Sequence, residues 1–372
     1  MKTVFVFLVF IAGHLSPAFC QETQASPVTI ADGLSLAQSQ MSSQPTDAIT
    51  TQQQYVEFLT SNYTTAEKTI DSLAGLTATL DEQKEILRKK VTILENLHAL
   101  GDATAAARLN CLVKEKLKDP DPAIARVARR FVLVSQAGQF FDLEPEKQGK
   151  ALADIQGYVL KHEPCEDGDA VASALISQLM QATDVSMAAV FSEETAHHFA
   201  SSQDEKMIAA ALRFAGTSKR ASLPGKTLEV VGHTLAGDKF DISSLKGKVV
   251  LVDFWSSGCP HCHAEAPQLK QLYTMWQPKG FEIVGVTLYD TRESAENYIA
   301  EKAIPWPVLF DESAAGTNQH PIAKQYAITA VPTAILIGRD GKVISILARG
   351  PELERLLEEQ FPETRSKSEE QN

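Results

Sequence analysis

The feature that most constrains this chain is a pair of cysteines two residues apart, Cys259-Pro260-His261-Cys262, set between two stretches of opposite character. Upstream, Val249 to Trp255 (VVLVDFW) is an almost unbroken apolar run, the pattern of a strand buried on both faces. Downstream, residues 261 to 277 carry helical spacing. Pro260 suits the first turn of that helix, where a missing N–H has no partner to lose. The rhythm that follows is strand (Phe281 to Tyr289), helix (Arg292 to Lys302), a short strand within Trp306 to Phe310, and a short helix (His320 to Tyr326). Two strands, Ala334 to Ile337 and Val343 to Leu347, flank the turn Arg339-Asp340-Gly341, and a helix over Pro351 to Gln360 closes the pattern. Strand, helix, strand, hairpin and helix make an α/β fold, a mixed sheet flanked by helices.

A bare Cys-x-x-Cys is also half of a zinc site. Structural zinc needs four ligands, and no second pair stands at suitable spacing; His233 and His263 are unorganised candidates. No cofactor or metal motif is found. A purely structural disulfide is a further alternative, but so small a loop removes little unfolded-state entropy. The redox reading accounts for each neighbour. Cys259 falls at a helix N-terminus, where unpaired N–H groups and the helix dipole favour a thiolate, the attacking species. His261, when protonated, adds positive charge beside it. Cys262, one turn deeper, is placed to resolve a mixed disulfide. Asp253 is a carboxylate inside an apolar strand, costly unless it titrates or is paired. Glu265 follows Cys262 by three residues on the same helix. Either acid is a candidate to take the proton of Cys262, although spacing alone also fits a solvated Glu265. Val331-Pro332-Thr333 leads into a strand through a residue with no N–H to contribute.

Together these pieces resemble the thioredoxin superfamily, most closely its exported TlpA/ResA-like branch, over residues 223 to 361. The matching residues are Lys246-Gly247-Lys248, Val252-Asp253-Phe254-Trp255, Cys259 with Cys262, Glu265-x-Pro267 and Val331-Pro332-Thr333. The resemblance implies that Pro332 is cis and faces the cysteines, that Val331 and Pro332 with Trp255 receive an extended substrate, and that Asp253 and Glu265 serve proton transfer. The sequence departs at Gly258, where the family usually has Trp, and at Pro260-His261, a pair similar to that of DsbA-type oxidases.

The first twenty residues bear on the compartment. Lys2, the apolar run Val4 to Ala12 and the small-residue stretch ending Ala18-Phe19-Cys20 match an export signal cleaved near Cys20. The run is too short to span a bilayer. Lipid attachment at Cys20 is disfavoured by Phe19 and Pro17. The expected place is therefore a bacterial periplasm or cell envelope, with no membrane span in the mature chain. Residues 21 to 50, rich in Gln, Ser and Thr, read as a flexible leader. From 51 to 215 the spacing is helical. Leu73, Leu80, Leu87 and Leu94 recur every seven residues as one amphipathic helix of an all-α domain without assignable function. Residues 216 to 225 read as a linker, 226 to 361 as the thioredoxin-like domain and 362 to 372 as a disordered tail. Cys111, in an apolar helical run, is expected to be a buried thiol, and a Cys111–Cys165 disulfide stays open.

The formal net charge of −12 opposes binding to nucleic acid. The expected function is thiol–disulfide exchange with protein thiols and a recycling redox partner, with reductant favoured over oxidant, for instance in opening cysteines for haem attachment during cytochrome c maturation. The alternatives are a partner-binding scaffold with a secondary redox site, or a peroxiredoxin-like peroxidase.

Overall fold

A computed structural model describes residues 29–45, 49–182 and 184–362. The expected export signal, Cys20 and nearly all of the tail lie outside the described residues. The chain divides into two units, residues 1–129 and 130–372.

Unit one is helical: α1 (Ile30–Met41), α2 (Gln52–Ser72), α3 (Leu80–Ala99), α4 (Ala105–Lys116) and the start of α5 (Pro122–Gly138). Three sequence expectations fail here. The stretch read as a flexible leader contains α1, capped by Thr29 and held by the buried residues Ile30 and Ala37. The seven-residue leucine stripe is not one helix. It breaks after Ser72, and α3 restarts behind Thr79, whose side chain and that of Glu82 cap each other's backbone N–H groups. That reciprocal cap satisfies two orphan donors and outweighs the periodicity, leaving Leu76 and Leu80 exposed. Cys111 is exposed rather than buried, because α4 turns Ala105, Leu109 and Leu112 inward at spacings of four and three. Cys111 and Cys165 form no disulfide.

Unit two holds the rest of α5, then α6 (Pro145–Leu160), α7 (Glu166–Leu179), α8 (Ser186–Phe199) and α9 (Glu205–Ala221). A hairpin follows, β1 (Val231–His233) and β2 (Lys239–Asp241), and then the thioredoxin fold. Its elements are β3 (Val249–Trp255), α10 (Pro260–Trp276), β4 (Phe281–Thr287), α11 (Arg292–Lys302), β5 (Val308–Leu309), α12 (Pro321–Gln325), β6 (Thr333–Ile337), β7 (Val343–Ser345) and α13 (Gly350–Gln360). The sheet order is β5-β4-β3-β6-β7, with β3 parallel to β4 and antiparallel to β6. So β3 is central, and all seven of its residues are buried.

Period-two alternation sorts β3 between two cores. Val250, Val252 and Phe254 face one cluster with Val284, Val286, Ile335 and Ile337. Val249, Leu251 and Trp255 face the other, with residues of α10, α11 and α13. Asp253 shares the parity of the second set, so the fold delivers its carboxyl to the α10 side. Each apolar residue of β3 contributes about 1.5–3 kcal/mol on burial, enough together to hold one costly acid in the strand.

The expected domain boundary also moves. Helix α9 runs on to Ala221 through what was read as a linker, and the first cluster continues without a break from Leu133 of α5 through α6–α9 to the sheet. The division falls inside α5, not at 216–225. The reason is the amphipathic face of α9, where Met207, Ala210, Ala211, Phe214 and Ala221 are all buried.

Candidate functional site

Helix α10 begins with the cysteine pair. Cys259 is its N-cap, half-buried, and its sulfur accepts the Cys262 N–H at 3.4 Å. The same sulfur stands 3.7 Å from the carbonyl oxygen of Val331, across the cis peptide bond to Pro332. Cys262, one turn on, is 5% exposed. Burial pushes its thiol well above the usual range, and the hydrogen bond with Cys259 adds to this. The two sulfurs are thiols in this structure, one accessible and one shielded.

Beneath Cys262 lies a cavity of about 10 Å³, lined by Asp253, Cys262, Glu265, Tyr298 and Pro332 among others. That is close to the smallest space that holds one water, about 10–15 Å³. Asp253 is 7% exposed. Burial, helped by the charge of Glu265 and opposed by Arg349, raises its pKa to about 7. Glu265 is paired with Arg349 through both carboxylate oxygens. It is therefore neither the solvated helix residue that its spacing also allowed nor an unpaired base.

Trp255 was expected on the substrate face and is not there. It is 4% exposed, stacked on Tyr298 with ring centroids 4.6 Å apart, because it ends the central strand beneath α10. His261 is exposed and makes no hydrogen bond or ion pair among the described residues. His263, weighed in the sequence only as a stray metal ligand, donates from Nε2 to the Ser257 carbonyl at 2.7 Å and packs edge-on to Tyr298.

Two residues that sequence reasoning missed complete the site. Tyr298 of α11 donates its hydroxyl to the Cys262 carbonyl at 3.2 Å. Asp290, 5% exposed, gathers the loop before the cysteines. It accepts from the Ser257 N–H at 3.0 Å, from the Ser257 hydroxyl at 2.5 Å and from Thr287 Oγ1. The Ser256 hydroxyl, 3.4 Å from Asp290, accepts in turn from the Gly258 N–H at 3.3 Å. Nothing in local spacing signals this, since Asp290 follows a different strand. Asp290→Ala strands several buried donors at once, and the expected loss is about 2–3 kcal/mol. Urea unfolding followed by tryptophan fluorescence measures it, and Asp290→Asn recovers part.

The C-terminal part of the chain is similar to known proteins. The AhpC/TSA family model matches residues 221–346. The thiol-disulfide oxidoreductase ResA of Bacillus thuringiensis is 32% identical over 125 residues, 34% of this chain and 68% of the relative. ResA of Bacillus subtilis is 28% identical over 111 residues, 30% of this chain and 59% of the relative. Among solved structures, the thioredoxin domain of a thiol-disulfide oxidoreductase from Bacteroides vulgatus is 30% identical, with 37% of this chain and 96% of that one covered and a TM-score of 0.34. Through its C-terminal thioredoxin-like domain, the chain belongs to the ResA-like thiol–disulfide oxidoreductases.

Proposed function

We propose that the chain is exported and reduces disulfides of client proteins through Cys259 and Cys262. The observation that carries the reading is the vertical order of the site. An accessible thiol stands over a shielded one, and a buried carboxyl with a pKa near neutrality shares the cavity beneath.

The chemistry follows from that order. The Cys259 thiolate attacks a client disulfide; one client sulfur leaves as a thiolate, and the other becomes bonded to Cys259. Cys262 then gives its proton to the Asp253 carboxylate and attacks the Cys259 sulfur. The second client thiolate leaves, and the Cys259–Cys262 disulfide holds the oxidising equivalents. Two electrons have passed to the client, and a recycling thiol partner returns them. The high proton affinity of Cys262 keeps it silent until Asp253 is ionised and the mixed disulfide has formed. The Val331 carbonyl, beside the attacking sulfur, is where the client backbone approaches.

The reducing direction is supported by what surrounds Cys259. Strongly oxidising pairs owe their potential to a stabilised reduced form. Here His261 makes no hydrogen bond or ion pair among the described residues, and a single backbone N–H, that of Cys262, donates to the sulfur. Equilibration of the chain with dithiothreitol or glutathione buffers is therefore expected to give a potential near the thioredoxin end, about −270 mV. A value near about −120 mV would reverse the direction and make the chain a disulfide donor.

A further inference from the structure

Helix α9 is seated hard against the segment that leads into Pro332. A Cβ on Gly216 would stand 2.8 Å from the Cβ of Ala327, so only glycine allows this approach. Arg220 Nη1 donates to the Ala327 carbonyl at 2.7 Å. The seat leaves a trough beside the cysteine pair. A cavity of about 550 Å³ has Ser177, Met180 and Thr217 of the helical side on one wall, and Pro332, Thr333 and Leu347 on the other. A second cavity, about 740 Å³, shares Gln181, Ile346 and Leu347 with the first and continues past Val190 to α13.

We infer that α7 and α9 are the outer wall of a client groove, and that its occupant is an extended, apolar-rich segment of client polypeptide flanking the disulfide cysteine. The inference rests on the exchange chemistry proposed above and adds to it the class of substrate. Continuity argues for the occupant. A sulfur bonded to Cys259 brings its chain past Val331, whose carbonyl is 3.7 Å from that sulfur, and the trough starts at the next residue. Charge argues for its composition. Three of the five cations along the trough are paired with acids, Arg213 with Asp169, Arg349 with Glu265 and Arg355 with Glu352, while Arg220 is turned onto the Ala327 carbonyl and Lys226 onto the Ser222 hydroxyl, so most of the positive charge is already engaged. Leu347 and Val190 are 36% and 57% exposed and offer apolar surface instead.

The test compares two substrates on the full chain: the disulfides of insulin, which bring a polypeptide segment, and oxidised glutathione, which brings almost none. Ser177 is exposed, so Ser177→Trp fills the trough without touching the core. Leu347→Glu makes it polar. Each variant is expected to lower kcat/KM for insulin, relative to that for oxidised glutathione, by about tenfold or more. An unchanged ratio, or an equal loss on both substrates, overturns the groove. A direct check places a photo-crosslinking residue at position 177 in a Cys262→Ala background. Crosslinking to the trapped insulin chain is expected, and its absence overturns the inference. If the unsubstituted chain reduces neither substrate, the exchange reading fails instead.

Discussion

Cys262→Ala will leave an enzyme that attacks and cannot let go. Cys259 keeps everything it needs for the first step: its place at the head of α10, its accessibility, and the Val331 carbonyl beside its sulfur. The second step has no substitute. The other described cysteines are Cys111, which belongs to unit one, and Cys165 at the start of α7. Turnover with insulin should therefore fall by on the order of 10³-fold or more, as for residues that act as one unit. Mixed disulfides of Cys259 with the client should accumulate, visible as a mass increase that thiol reductant removes. The variant should fold. Cys262 is buried among apolar groups, and replacing it by Ala removes one sulfur, a loss of about 1–2 kcal/mol. Cys259→Ala should also stop turnover but trap nothing. If the two variants trap clients equally, the order of attack proposed here is wrong.

The central strand and the cysteine pair were legible because their chemistry is local. Six apolar residues out of seven in a row read as a buried strand, and a proline after a cysteine reads as a helix start. The acid at position 253 was legible for the same reason, as the one charge in an apolar run. What escaped was settled by distant partners. The resemblance puts Trp255 on the substrate face, yet the pleat turns it under α10 onto Tyr298, forty-three positions later. Asp290 holds the loop before Cys259 from the end of another strand. The helical boundary was misplaced because Gly, Ser and Lys near 216–220 look like a linker. Their neighbours Phe214 and Ala221, on the buried side of the helix, carry α9 on to the thioredoxin fold. The glycine that suggested flexibility is there for close approach to Ala327. The break after Ser72 could have been found, since Thr79-x-x-Glu82 is a start signal in the sequence itself.

Asp253→Asn should make the protein more stable and less active, with both effects depending on pH. The Asp253 carboxyl is held at a pKa of about 7 in the fold, against an ordinary 3.8. Well below pH 3.8 it is protonated both folded and unfolded and contributes no penalty. As pH rises toward 7 the unfolded chain releases the proton and the folded chain keeps it, so stability falls across this window. Above pH 7 the folded state bears the full cost of a buried charge, on the order of 4 kcal/mol. Asparagine has the same shape and no charge, so its advantage should be near zero well below pH 3.8 and largest at pH 8. Urea unfolding can follow this cleanly, because the chain has three tryptophans and all of them, Trp255, Trp276 and Trp306, belong to unit two. The same carboxylate is the proposed acceptor for the Cys262 proton. In the unsubstituted chain, release of a trapped client should speed up as pH passes through about 7, when Asp253 ionises. In Asp253→Asn it should be slower by about 10²-fold and lose that rise. A variant that is stabilised at pH 8 but releases clients at the original rate would show that Asp253 is buried without being used. The proton would then have to leave by Glu265, whose carboxylate is held by Arg349.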